Sequence, residues 1–171
     1  MNSNTVLAFF IVLLTSGCSK QDQSIFDQLE RNVESISNSI SHDSRKLYTT
    51  VKAEELFGMK WDKLYVLSDE YKTPEDISKV IGIKWREGGF HYNQFRYILT
   101  KSNKVLAFFD VYQGDSFISF SDCDVIDNVI LSEPELVVYQ PYFVHGDKIV
   151  RISNKECIGQ ISKTVMELNG Y

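Results

Sequence analysis

Two cysteines in the C-terminal half, Cys123 and Cys157, and three acids around the first of them, Asp122, Asp124 and Asp127, form the most reactive grouping in the sequence. A thiol pair can oxidise, and neighbouring carboxylates can hold a hard cation or raise one another's pKa. A Cys123–Cys157 disulfide would close a loop of about 34 residues and contribute roughly 3–4 kcal/mol through the unfolded state. The competing reading is two separate buried thiols, since free cysteine is among the most buried residue types. Neither cysteine has a second Cys or His at ligand spacing, so no metal site is expected. On a strand Asp122 and Asp124 would share a face, but the Asp-x-Asp-x-Asp-Gly loop of a calcium site is absent. His42, His91 and His145 lie far apart. The Gly-x-Ser-x-Gly elbow, the phosphate loop and the dinucleotide fingerprint are missing as well. No catalytic residue, metal or cofactor is therefore expected.

Residues 85–97 read WREGGFHYNQFRY, with Trp85, Phe90, Tyr92, Phe95 and Tyr97 interleaved with Arg86 and Arg96. Aromatics and arginine dominate binding hot spots, because they bury much area for little lost entropy. Trp85, Phe90, Tyr92 and Phe95 are thus candidates for a partner-binding surface. The other reading makes these rings core, packed between a helix and a sheet.

The N-terminus carries a different chemistry. Residues 5–14 read TVLAFFIVLL, ten residues without a charge or helix breaker. A spanning helix needs roughly 20 apolar residues, whereas the hydrophobic region of a signal peptide needs about 7–15. The run ends in Leu14-Thr15-Ser16-Gly17-Cys18. That string resembles the lipobox of bacterial lipoproteins. The resemblance implies that residues 1–17 are a signal peptide removed on export and that Cys18 receives the lipid. Residues 18–23 would be a tether and 24–171 a single domain. Ser19 in place of Asp, by resemblance to enteric sorting signals, favours the outer membrane over the inner. The chain has three cysteines. Giving Cys18 to lipid leaves an even pair in an oxidising, periplasm-facing location.

Positioning elements can be read along the rest. Phe26, Leu29, Val33, Ile36 and Ile40 follow helical spacing. They predict a helix packed on its own domain, or a short coiled-coil seam. Residues 52–59 suggest a short helix closed by Gly58, and 61–67 (WDKLYVL) an aromatic strand. Thr73-Pro74-Glu75-Asp76 is a helix start, with an N-cap hydroxyl, Pro at the first position and acids in the first turn; Gly82 ends it. Strands are expected at 96–100 and 105–112 around a turn centred on Asn103, then at 117–121, 125–131 and 136–139. A hairpin of 142–145 and 148–152 around Gly146-Asp147 follows, and 161–168 suggests a last helix. Residues 105–112 are apolar on both alternations, with Val105, Ala107, Phe109 and Val111 on one side and Leu106 and Phe108 on the other. Such a strand needs cover on both faces, and the N-terminal helix is a candidate cover. The expected class is α+β, with N-terminal helices packed on a mostly antiparallel sheet. The 61–67 string, the Thr73-Pro74 start and the Asn103 hairpin also loosely resemble small uncharacterised bacterial lipoproteins over about residues 55–120. That family implies no activity.

The formal net charge of −5 argues against a nucleic-acid partner and against purely electrostatic attachment to anionic headgroups. The leading functional expectation is a non-enzymatic envelope lipoprotein that binds a protein partner, as an assembly factor, inhibitor or immunity-type protein. The alternative is a small periplasmic hydrolase whose site is assembled from His91, His145 and the acids near 122–127. A third possibility is a lipoprotein that only spaces the envelope.

Overall fold

The computed structural model describes residues 22–41, 48–71, 73–89, 91–123, 129–132, 134–140 and 149–168. The helical stripe is α1, Gln23–Ser41. The Asp22 carboxylate accepts the Ser24 backbone N–H at 3.1 Å, capping its first turn. The Asp22 N–H in turn donates to the Phe108 carbonyl at 2.9 Å. Residues 22 and 23, assigned above to the tether, therefore belong to the folded body. The strand β1, Tyr48–Lys52, runs into the short helix α2, Ala53–Phe57. Gly58 closes α2 with φ 66°, and a Cβ there would collide with the end of the Gln28 side chain. Both facts favour glycine. Asn32 of α1 donates to the Glu55 and Leu56 carbonyls, so one helix caps the end of the other.

Next come β2, Lys63–Leu67, and α3, Pro74–Ile81. Thr73 caps α3 through its hydroxyl, Pro74 sits in the first turn and Gly82 ends it at φ 69°. The hairpin β3, Gln94–Lys101, and β4, Lys104–Tyr112, turns on Ser102 and Asn103, both at positive φ. The remaining elements are β5, Ile118–Ser121; β6, Val129–Leu131; β7, Glu135–Tyr139; β8, Val150–Asn154; a 3-10 turn, Lys155–Cys157; and α4, Ile158–Leu168. The proposed strand at 142–145 and the Gly146-Asp147 turn lie outside the described residues.

The fold is mixed α+β, but the strands among the described residues divide into two sheets of four. One has the order β4-β3-β2-β6 and the other β1-β7-β8-β5. Pairing is antiparallel except between β5 and β8, which run parallel. Strands in both sheets are apolar on both faces and so need cover on each. Leu64 and Val66 of β2 point into the main core, whereas Tyr65 and Leu67 point outward to Ile77 and Ile81 of α3. In the second sheet Leu136 and Val138 face the main core, and Val137 and Tyr139 face Ile161 of α4. Tyr97 and Phe120, one from each sheet, meet edge to face at 5.5 Å between centroids. Phe57 of α2 stacks on Phe120, and Phe26 of α1 lies 5.5 Å from Phe109.

A bulge in the first hairpin corrects one expectation. Leu99 pairs with Ala107 but Thr100 pairs with Val105, so Leu106 is the extra residue. The extra residue reverses the alternation beyond it. Val105 consequently packs with the α3 side of the sheet, not with Ala107 and Phe109, and Leu106 is left exposed. Cover for the Phe108 face comes from α3 and Trp85 rather than from α1.

Candidate functional site

The aromatic segment is built around a buried arginine. Ser78 of α3 accepts the Trp85 backbone N–H at 2.9 Å while donating to the Pro74 carbonyl, which ties the segment to the helix. The Trp85 ring then lies edge-on to Phe108, 5.0 Å away. Arg96 stands opposite Asp110 in the β3–β4 register, so their side chains share one face. The guanidinium meets the carboxylate in a fork, Nε to Oδ1 and Nη2 to Oδ2, each at 2.7 Å. Its Nη1 donates to the Gly88 carbonyl at 2.6 Å. The Trp85 and Phe108 rings flank its charge at 5.4 and 5.3 Å. Both side chains of the pair are over nine-tenths buried.

This arrangement decides between the two readings of residues 85–97. Trp85 and Tyr97 are core, at 4% and 5% exposure, and Phe95 is half-buried against the main core. Tyr92 is the one partner-binding candidate among the described residues that is well exposed, at 82%. Phe90 lies outside the described residues. Trp85 and Phe95 therefore do not join Tyr92 in the surface proposed for Trp85, Phe90, Tyr92 and Phe95. A ring that must shield a buried guanidinium is unavailable to a partner. Burial also pushes the Tyr97 phenol above its ordinary range.

The Arg96–Asp110 pair went unread in the sequence, although a signal existed. Asp110 is the one acid in LAFFDVY, and Arg96 one base in the hairpin's other arm. Counting evenly outward from the turn would set Arg96 against Phe109; the bulge at Leu106 shifts the partner to Asp110.

The second grouping is an oxidised corner. Cys123 and Cys157 form a disulfide with Cα atoms 5.0 Å apart, inside the bridging limit. It joins the ends of the parallel neighbours β5 and β8. Ser153 donates to the Ser121 carbonyl at 2.8 Å and accepts the Cys123 N–H at 3.1 Å; Asn154 donates to Asp122. A carboxylate oxygen of Asp122 and the two sulfurs lie within 4.8 Å of one another. Because the sulfurs are bonded to each other, they offer no thiolate to a metal. Asp124 and Asp127 lie outside the described residues.

A third feature is an open groove of about 400 Å³ between the end of α3 and the β3–β4 turn. Tyr65, Val80 and Ile83 supply apolar lining, with Asp62, Lys63 and Lys79 as charges. Asp62 is fixed there, its carboxylate accepting the Ser102 N–H at 2.6 Å. Of the histidines named for a hydrolase, His91 is exposed, 54 residues before His145 in the chain. His42, His145 and Cys18 lie outside the described residues. No helix among the described residues is long and apolar enough to cross a membrane. Compared with protein-family models, curated proteins and solved structures, the chain matches none.

Proposed function

We propose that the chain is a bacterial cell-envelope lipoprotein. In this reading residues 1–17 are its signal peptide, Cys18 carries its lipid, and its folded domain is a non-enzymatic protein-binding module facing the periplasm. The cysteine arrangement carries the proposal. With Cys123 and Cys157 joined, Cys18 is the odd thiol of three. It stands directly after an apolar run and three small residues, where lipidation would consume it. A disulfide also suits an exported chain, since reducing compartments keep thiols unpaired. The binding role draws on the groove beside the β3–β4 turn. Its apolar lining and mixed charges suit a protein segment better than a nucleic acid. Ser19 inclines the placement toward the outer membrane.

Metabolic labelling with a fatty-acid analogue tests the anchor. Wild-type protein should take up label and sediment with membranes, and Cys18→Ala should do neither. Label and sedimentation that survive Cys18→Ala would overturn the assignment.

A further inference from the structure

Among the described residues the first bonded into the fold is Asp22, and its partner is the Phe108 carbonyl of β4. That strand is an edge of its sheet. Phe108 pairs with Ile98, and the Gln113 N–H reaches the Asn93 carbonyl. By the alternation of an antiparallel ladder, the Phe108 carbonyl therefore points out from the free edge. Cys18 stands four positions before Asp22, a span of at most about 14 Å. A domain of this size is about 40 Å across. A tether shorter than half the body's width cannot let every face reach the bilayer. With Cys18 lipidated, it would hold the β4 edge down.

Two exposed large side chains lie on that strand, and a third lies near its end. Leu106, the bulge residue, is 40% exposed, and Tyr112 at the strand's end is 51% exposed. Tyr92, one residue before the Asn93 that pairs with Gln113, is 82% exposed. Leu106 and Tyr112 lie roughly 7 and 13 Å along the strand from Phe108. Tyrosine is favoured at the membrane–water interface, where its ring meets acyl chains and its hydroxyl meets water.

We propose that the β4 edge, with Leu106, Tyr112 and Tyr92, is the face that rests on the lipid headgroup layer. This rests on the lipid-anchor reading of Cys18. The lipid supplies the affinity and this edge supplies the orientation. Consequently the opposite edge, β6, faces away from the membrane.

The sheet provides its own control. Ile130 of β6 pairs with Tyr65, Tyr65 with Ile98, and Ile98 with Phe108. Ile130 thus lies straight across the sheet from the docking point, roughly 14 Å away at three strand spacings. It is exposed to the same 40% as Leu106. The experiment places an environment-sensitive NBD label on Leu106→Cys, Tyr112→Cys or Ile130→Cys in full-length lipidated protein with its disulfide intact. Each protein is reconstituted into phosphatidylethanolamine/phosphatidylglycerol vesicles with or without a headgroup nitroxide lipid. Flotation of the vesicles is scored on the same samples. The expected result is flotation of all three, with loss of NBD emission to the nitroxide at 106 and 112 and little at 130. Flotation with equal quenching at the three positions, or with more at 130, overturns the orientation and leaves the anchor standing. Failure to float overturns the anchor, and the orientation with it.

Discussion

Replacing Asp110 with Asn isolates what the buried ion pair does. The change keeps the size of the side chain and removes its charge, leaving the Arg96 guanidinium facing an amide whose NH₂ is itself a donor. Arg96 is 4% exposed, so water cannot take the place of the lost carboxylate. Breaking a buried pair on one side costs about 3–5 kcal/mol, mostly through the charge left without a counter-ion. At roughly 2–4 °C per kcal/mol for a domain of this size, the melting temperature should fall by about 10 °C. The double variant Arg96→Met/Asp110→Leu removes both charges and should lie within about 1 kcal/mol of wild type. Its methionine thioether would keep contact with the Trp85 and Phe108 rings, and the Gly88 carbonyl, on an exposed residue, can turn to water. Urea unfolding followed by tryptophan fluorescence, in non-reducing buffer, gives all three free energies and the coupling between the sites. A loss below about 1 kcal/mol in Asp110→Asn would refute the argument that the pair is desolvated. So would a double variant as unstable as the single one.

Other outcomes follow from the same structure. Cys123→Ala/Cys157→Ala should lower unfolding free energy by about 3–4 kcal/mol, read by urea titration, because the bridge closes a 34-residue separation. Trp85→Ala should cost about 3–5 kcal/mol as a buried aromatic, whereas Tyr92→Ala should change stability by under about 0.5 kcal/mol. Thermal melts of the two variants separate core from surface within one segment. The Glu30 carboxyl is held above its usual range by partial burial and then by Asp27 and Glu34. A pKa higher in the folded state means that ionised Glu30 opposes folding at neutral pH. Glu30→Gln should therefore raise the melting temperature at pH 7. The gain should fade as pH falls below the ordinary carboxylate range, where wild-type Glu30 is protonated anyway.

Elements whose signals are local were legible in the sequence. The helix α3 was marked by Thr73, Pro74 and Gly82, and each does in the fold what its chemistry suggests. Asn103 marked the hairpin, and the spacing of Phe26 to Ile40 marked α1. The disulfide was legible as a pairing, though not as a link between parallel strands. What the sequence withheld depended on partners distant along the chain. The strand β1 was missed because Tyr48-Thr49-Thr50 has no strong alternation; it is held by β7, where Tyr48 pairs with Tyr139. The split into two sheets was hidden for the same reason, since nothing in β5 or β6 states which sheet it will join. The aromatic segment misled because ring content does not show which way a ring points. Trp85 is drawn inward by Arg96, and Arg96 by an acid that only a bulge brings opposite it.

The strand order β1-β7-β8-β5 also bears on how the chain can be delivered. The two outer strands of that sheet both precede the two inner ones in the sequence. A chain threaded across a membrane from its N-terminus would present β1 and β5 long before either has a neighbour. Only when Val150–Asn154 has cleared can β8 join β7 to β5. The hairpin of β3 and β4, closed by two residues, has no such wait. Assembly would thus be split in time, with the β3–β4 hairpin able to form early and the second sheet completed by the last stretch to arrive. Shortening the chain before Val150 would not trim an edge. It would take β8 out of the second sheet, leaving β1 paired with β7 and β5 without its neighbour.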